Sequence, residues 1–337
     1  MHKLKVHWLL NSYSPTMLLN EVRESSLASV RLRAGAFSSC LDSSIDASFG
    51  REVINDASII IVGRIGSENI DRRASDWLSM IRRARDERKQ VIIDYTDHHA
   101  GVSSVMSAFY IEALNLATQV VVPSRAMHRL IAPFFAGRTS IIEDALEVPV
   151  LAPKAGAPSS IRGSRQKNLL WFGHATNIPF LLKWLSTLDV PGFDLRLQIL
   201  TSEQAVNSLR TSKLFSPSKV TVIAGVWSLP AMISAASTAD VCVIPCGVTD
   251  RSKMGASSNR LLTALALGLP VAADLLDSYV DYKAYFSELR GAEFLDLLEY
   301  PPGYHGAVLA AQKTVVPLHS VDKIGRRWRR FFLGIDL

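Results

Sequence analysis

Short apolar runs ending in polar turns alternate along this chain with longer stretches of helical periodicity, the pattern of strands and helices taking turns. Residues 5–10 predict a first strand and residues 29–33 an extended segment. The run SIIIVG within residues 56–63 predicts a strongly buried strand. Residues 70–89 place Trp77, Ile81 and Ala84 on one helical face and charges on the other. A buried strand is expected at 90–94, a helix at 109–116 and a strand at 119–123. Ser124 then caps a helix over 125–135, and a last short strand follows at 139–144. This pace is that of a parallel, doubly wound sheet, here without a GxGxxG segment.

The pattern breaks at residues 149–168, rich in Pro, Ala, Gly, Ser and cations, and then restarts. Strands are expected at 169–172, 195–200, 219–223 and 240–245, with helices over 178–188 and from Ser228 through Ser237. Two domains follow: residues 1–150, and residues 169–320 after a linker at 151–168, with a basic amphipathic helix at 321–337 closing the chain. A length of 337 residues agrees, since one hydrophobic core rarely holds so many.

The chemistry concentrates where predicted strands end. Residues 250–274 read DRSKMGASSNRLLTALALGLPVAAD: Arg251 and Lys253 offer cations, and small residues through Ser257 and Ser258 admit a ligand to the backbone. Asn259 opens an apolar helix that Gly268 closes. Unpaired amides, the helix dipole and nearby cations favour phosphate oxygens there, although small-residue turns before helices also occur with no ligand at all. Gly173 and His174 end another strand, where close backbone approach and a donor to phosphate are expected; helix capping by Asn177 explains the same residues.

In the first half, Asp94, Asp97, His98 and His99 end the 90–94 strand and are its acid/base candidates, with Asp97 as a helix cap the competing role. Arg31 and Arg33 would share one face of an extended segment and clamp a phosphate or carboxylate, or else line a solvated face. No metal is expected, because adjacent His98 and His99 point differently and no further ligand set follows.

Composition narrows the function classes. Hydrophobic content of 48% with 20% charge describes a packed globular protein. The net charge of +6 suits a phosphorylated substrate or an anionic surface, but neither zinc-finger spacing nor an aromatic-basic RNA-binding segment supports nucleic acid. Three scattered cysteines fit a reducing compartment, and the N-terminal apolar run is too short to span a membrane. The expected location is cytoplasmic, with the inner membrane face as a peripheral contact.

Taken together, DYTDHH, VVPSRAM, IIEDALEVP, LLWFGHATN, ADVCVIP and NRLLTALALGLPVAAD resemble the GT-B nucleotide-sugar glycosyltransferases, particularly retaining bacterial ones, over nearly the whole chain. The resemblance implies an α/β fold of two Rossmann-like domains facing each other across a cleft. It implies donor binding mainly by the C-terminal domain, acceptor binding mainly by the N-terminal one, and a metal-independent, hexosyltransferase-like reaction without a cofactor. Carried onto this chain, the donor-binding candidates are Gly173, His174, Arg251, Lys253, Ser257, Ser258, Asn259 and Thr263. Asp97 and His98 are the catalytic candidates, and Arg31, Arg33 and His99 the acceptor-binding ones. The partners are a nucleotide sugar and a glycan, lipid-linked or protein acceptor, with polysaccharide biosynthesis as the setting.

The chain departs from that pattern in two places. Retaining members carry two glutamates about two turns apart; here Gly255 and Thr263 stand instead, and the loop GHATN lacks the usual Arg/Lys pair. A non-catalytic binding or scaffold protein and a sugar-nucleotide epimerase are therefore the alternatives. In the closing segment Lys323, Arg326, Arg327, Arg329 and Arg330 interleave with Trp328, Phe331 and Phe332. Such a helix suits an anionic membrane surface or, with its aromatics turned inward, packing on the first domain.

Overall fold

Runs such as Ile59–Val62 and Val241–Ile244 are apolar at every position because parallel strands in a doubly wound sheet are covered on both faces. A computed structural model describes residues 3–12, 14–52, 56–153, 165–211 and 220–335. The chain divides into two compact units: Met1–Glu147 with Thr249–Ser257 and Leu318–Leu337, and Val148–Val248 with Ser258–Pro317. Most of the expected linker, residues 154–164, lies outside the described residues.

The first unit runs β1 (Leu4–Leu9), α1 (Leu19–Arg23), a π-helical turn (Val30–Gly35), α2 (Ala36–Ser38), β2 (Ile45–Gly50), β3 (Ile59–Val62), α3 (Ile70–Asp86), β4 (Gln90–Asp94), α4 (Ser107–Leu116), β5 (Gln119–Val122), α5 (Arg125–Ile131) and β6 (Arg138–Ile141). Its strands are all parallel in the order β2-β1-β3-β4-β5-β6. Side-chain alternation splits the strands between two cores. Ile60, Val62, Val91 and Ile93 pack with Trp77, Ile81 and Phe109 of α3 and α4. Val6, Trp8, Ile59, Ile61 and Ile92 pack with Phe37, Trp328 and Phe332 on the opposite face.

The second unit runs β7 (Gln166–Phe172), α6 (Ile178–Ser186), β8 (Asp194–Thr201), α7 (Glu203–Thr211), β9 (Val220–Val226), α8 (Leu229–Thr238) and β10 (Val241–Ile244). The short helix α9 (Arg251–Met254) belongs to the segment that clusters with the first unit. Then come α10 (Asn259–Ala266), β11 (Val271–Ala273), β12 (Ser287–Glu288), α11 (Ala292–Glu299) and α12 (His305–Thr314). The sheet is parallel in the order β12-β11-β10-β7-β8-β9. Counted from its own first strand this is the 3-2-1-4-5-6 order of dinucleotide-binding sheets, which reverses between β7 and β10. The loops leaving β7 and β10 therefore part to opposite faces, opening a crevice at their carboxyl ends.

The C-terminal helix Val321–Leu333 supplies one wall of the first unit. Ile324, Trp328, Phe331 and Phe332 are buried, and Trp328 meets Trp8 edge-on with ring centroids 4.8 Å apart. Its aromatic face is thus spent on the core. Three of its cations are tied down as well, Arg326 to Asp322, Arg327 to Glu143 and Arg329 to Asp42 at 2.6 Å. No helix among the described residues is long and apolar enough to cross a membrane.

One expected element is corrected. Residues 29–33 are not extended: Val30–Gly35 form a π-helical turn, with Val30, Leu32 and Ala34 buried. Arg31 and Arg33, two residues apart on a helical turn, leave it in different directions rather than sharing a face.

Candidate functional site

In the first unit, β4 delivers its carboxyl end into Tyr95, Thr96, Asp97, His98 and His99. Asp94 is held by Arg33, whose Nη2 lies 2.5 Å from Oδ1 and whose Nε donates at 2.7 Å. Arg33 Nη1 also donates to Asp144 and to the Ile142 carbonyl, both at 2.9 Å. Burial works against the guanidinium charge, and the two carboxylates more than offset it, so Arg33 is held still more firmly charged. Its side chain is 0% exposed, which leaves no surface for an acceptor. Arg31 grips Glu147 through Nη2 at 2.8 Å and donates to the Ser25 carbonyl. The two arginines expected to clamp a substrate thus brace the fold.

The remaining polar groups form a fixed cluster. Asp97 pairs with Arg64 at 2.8 Å and keeps 20% side-chain exposure. His98 Nδ1 and the Tyr95 hydroxyl are 3.1 Å apart, and that hydroxyl accepts from the amides of His99 and Ala100. His99 Nδ1 lies 2.9 Å from Ser104 Oγ, and its ring stacks on Tyr110. Burial pushes His99 down to about 4, with Arg64 and Lys253 adding to the effect while Asp97 opposes it. His98 is lowered by burial and then by Arg251. Both rings are neutral at pH 7.

Arg251 and Lys253, expected in the second domain, thus act electrostatically on the first unit's histidines. Their segment docks by backbone. Ser124 Oγ, the N-cap of α5, accepts from the Met127 amide at 3.0 Å and donates to the Gly255 carbonyl at 2.9 Å. A Cβ at residue 255 would stand 2.9 Å from Met127 Cα, so close approach explains why no acidic side chain occupies that position.

In the second unit, β7 ends at Gly173 and an exposed His174, whose Nδ1 accepts from the Thr176 amide at 3.3 Å. Beside it β10 runs to Cys246, whose amide donates to Asp274 at 2.9 Å. Ser258 is the N-cap of α10, and its side chain makes no capping bond. Thr263, one turn further on, donates to Asn259 Oδ1 at 3.4 Å. Gly173 lies beside the side-chain tip of a residue in the first turn of α10. Ser257 belongs to the segment clustered with the first unit, so the donor candidates divide between the two units.

The residue that sequence reasoning passed over is Arg260. A Cβ on Gly173 would stand 3.5 Å from its Nη1, and its Nη2 lies 3.5 Å from Cys246 Sγ. The signal was present in the sequence: a cation in the first turn of a helix works against the helix dipole. Among the described residues no group of three or more His, Cys, Asp or Glu is arranged to hold a metal ion.

No protein-family model matches the chain, and no curated protein matches it by sequence. Solved structures do. The Anabaena protein HepE in complex with UDP and glucose is 13% identical, with a TM-score of 0.61 over 98% of this chain and 100% of that one. Sucrose-phosphate synthase from Thermosynechococcus elongatus is 11% identical, with a TM-score of 0.61 over 99% of this chain and 100% of that one. An alpha-glucosyltransferase in complex with UDP and a 13-mer DNA is 10% identical, with a TM-score of 0.57 over 99% and 100%. At such identities the likeness speaks to architecture. With its two six-stranded parallel sheets, the chain has the glycosyltransferase-like GT-B fold of two Rossmann-like domains.

Proposed function

We propose that the chain is a glycosyltransferase that takes a nucleoside-diphosphate sugar and passes the sugar to a hydroxyl of a glycan, lipid-linked or protein acceptor. The observation that carries this reading is the Arg260 side chain, from the first turn of α10, reaching Gly173 at the strand-order reversal of the second sheet. Open-sheet proteins bind nucleotides at that place. Solved proteins of the same fold, HepE and the alpha-glucosyltransferase among them, hold UDP.

In this reading the second unit binds the donor. Amides of the first α10 turn, Ser258, Asn259, Gly173 and His174 receive the diphosphate, and Thr263 orients Asn259 from the next turn. Sugar transfer needs charge stabilisation on the departing diphosphate, which oriented amides and a cation supply without a metal ion. On the first unit Asp97 receives the proton of the acceptor hydroxyl, since it keeps exposed surface while His98 and His99 are buried. His98 and His99 shape the acceptor side.

Incubating the chain with a panel of sugar nucleotides in EDTA, and following release of the nucleoside diphosphate, tests the reading. Turnover of at least one donor is expected. Saturable binding with no turnover would identify a scaffold, and epimerisation at C2 without an acceptor would identify an epimerase. Asp97→Asn is expected to lower turnover at least tenfold, within the span general acid–base catalysis contributes, while leaving donor affinity in place; equal loss of both would make Asp97 structural.

A further inference from the structure

No carboxylate among the described residues pairs with the guanidinium of Arg260. Although the residue as a whole keeps some exposure, Nη1 is shut from solvent and has no hydrogen-bond partner among the described residues. Nη2 lies 3.5 Å from the Cys246 sulfur, and the Tyr279 hydroxyl also interacts with the guanidinium. The groups acting most strongly on it are Cys246, Tyr279 and Cys242, none of them a carboxylate. All three are neutral at pH 7: burial pushes the Cys242 thiol up to about 12 and also raises Cys246 and the Tyr279 phenol. The nearby acid, Asp274, is already taken by Arg290 Nε at 2.8 Å and by the Cys246 amide.

Three unfavourable choices therefore coincide at one residue. Among the described residues, a buried charge lacks an ion pair, a buried donor lacks an acceptor, and a cation sits in the first turn of the eight-residue helix α10, where the dipole already presents positive charge. An anion bound at that turn relieves all three at once. Gly173 brings the β7 loop against this guanidinium: a Cβ there would stand 3.5 Å from Arg260 Nη1 and 3.3 Å from the Trp171 ring.

We propose that Arg260 is the counter-charge for the donor's diphosphate, which binds against Gly173 and the first turn of α10, and that it takes over there the task assigned from the sequence to Arg251 and Lys253. This assignment rests on the donor-binding reading above. It also accounts for the GHATN loop, which carries no Arg or Lys: the positive charge comes instead from α10.

Inorganic pyrophosphate and a panel of nucleoside diphosphates, titrated calorimetrically into the full chain and its variants, test the proposal. Arg260→Met keeps the bulk and removes the charge, and it is expected to weaken pyrophosphate and diphosphate binding roughly 10- to 100-fold, the scale of a lost charge-assisted hydrogen bond. Arg260→Lys is expected to retain affinity within about tenfold. Because no described carboxylate pairs with the charge, Arg260→Met should unfold at the wild-type temperature or above, and pyrophosphate should raise the unfolding temperature of wild type more than that of the variant. Unchanged pyrophosphate affinity in folded Arg260→Met, with wild type still binding diphosphates, overturns the role of Arg260 and leaves the donor reading standing. An Arg260→Met chain that is less stable or fails to fold overturns it too, by showing that the charge is structural. A wild-type chain that binds none of the probes overturns the proposal together with the reading it rests on.

Discussion

Each of the two sheets has an arginine buried at its carboxyl end, and the two are built in opposite ways. Arg33 in the first unit is enclosed by Asp94, Asp144 and the Ile142 carbonyl. Among the described residues, Arg260 in the second unit has neutral sulfur and phenol groups around it, and one nitrogen without a hydrogen-bond partner. Removing a guanidinium from water costs several kcal/mol, which Arg33 recovers within the protein. Arg260 recovers it only when something else supplies negative charge. A buried arginine therefore marks architecture when its acids come with it and marks a ligand when they do not.

Breaking the first pair gives the largest effect. Asp94→Asn leaves Arg33 with Asp144 alone and is expected to cost about 3–5 kcal/mol in denaturant unfolding, the scale of a buried pair losing one partner. A cost under about 1 kcal/mol would erase the distinction between the two arginines. Trp328→Ala, which empties the center of the core behind Arg33, is expected to cost a similar ~3–5 kcal/mol and so calibrates packing against charge.

Acid should act on the first unit next. His7 and His99 are both held down at about 4 by burial, against an unfolded value near 6.5. The unfolded chain binds these protons first, so the stability they confer is present above about pH 6.5 and drains away as the pH falls toward 4. Each contributes up to roughly 3 kcal/mol. Urea midpoints should fall across that window, and His99→Asn should flatten the slope. A midpoint independent of pH between 6.5 and 4 would contradict the burial of both rings. The smallest effect is expected for Arg260→Met without ligand, within about 1 kcal/mol of wild type or on the stabilising side.

The sheets were legible in the sequence because buried parallel strands write themselves as apolar runs: Ile59–Val62, Gln90–Asp94, Gln119–Val122 and Val241–Ile244 all fall inside the expected segments. What periodicity did not reveal has physical reasons. β2, IDASFG, pairs at the sheet edge and interrupts its apolar residues with Asp46, Ser48 and a closing Gly50, so it reads as a loop. The SVRLR segment alternates as a strand does, yet tertiary packing turns it into a π-helical turn that buries Arg33. Among candidate site residues, Gly173, Ser258 and Asn259 were readable from their position after a strand and before a helix. That Arg251 and Lys253 lie by His98 and His99 depends on where residues 249–257 dock, which no local pattern encodes. Arg260 was hidden for a related reason: a sequence shows an arginine but not the absence of its partner.

The most direct test of the central claim, that the second unit recognises a diphosphate, is the affinity of the wild-type chain for a matched series of nucleoside, nucleoside monophosphate and nucleoside diphosphate. The account predicts affinity rising with each phosphate, at least tenfold from nucleoside to diphosphate, and weakening as salt is added. Equal affinity across the series, or no binding of any member, would contradict it.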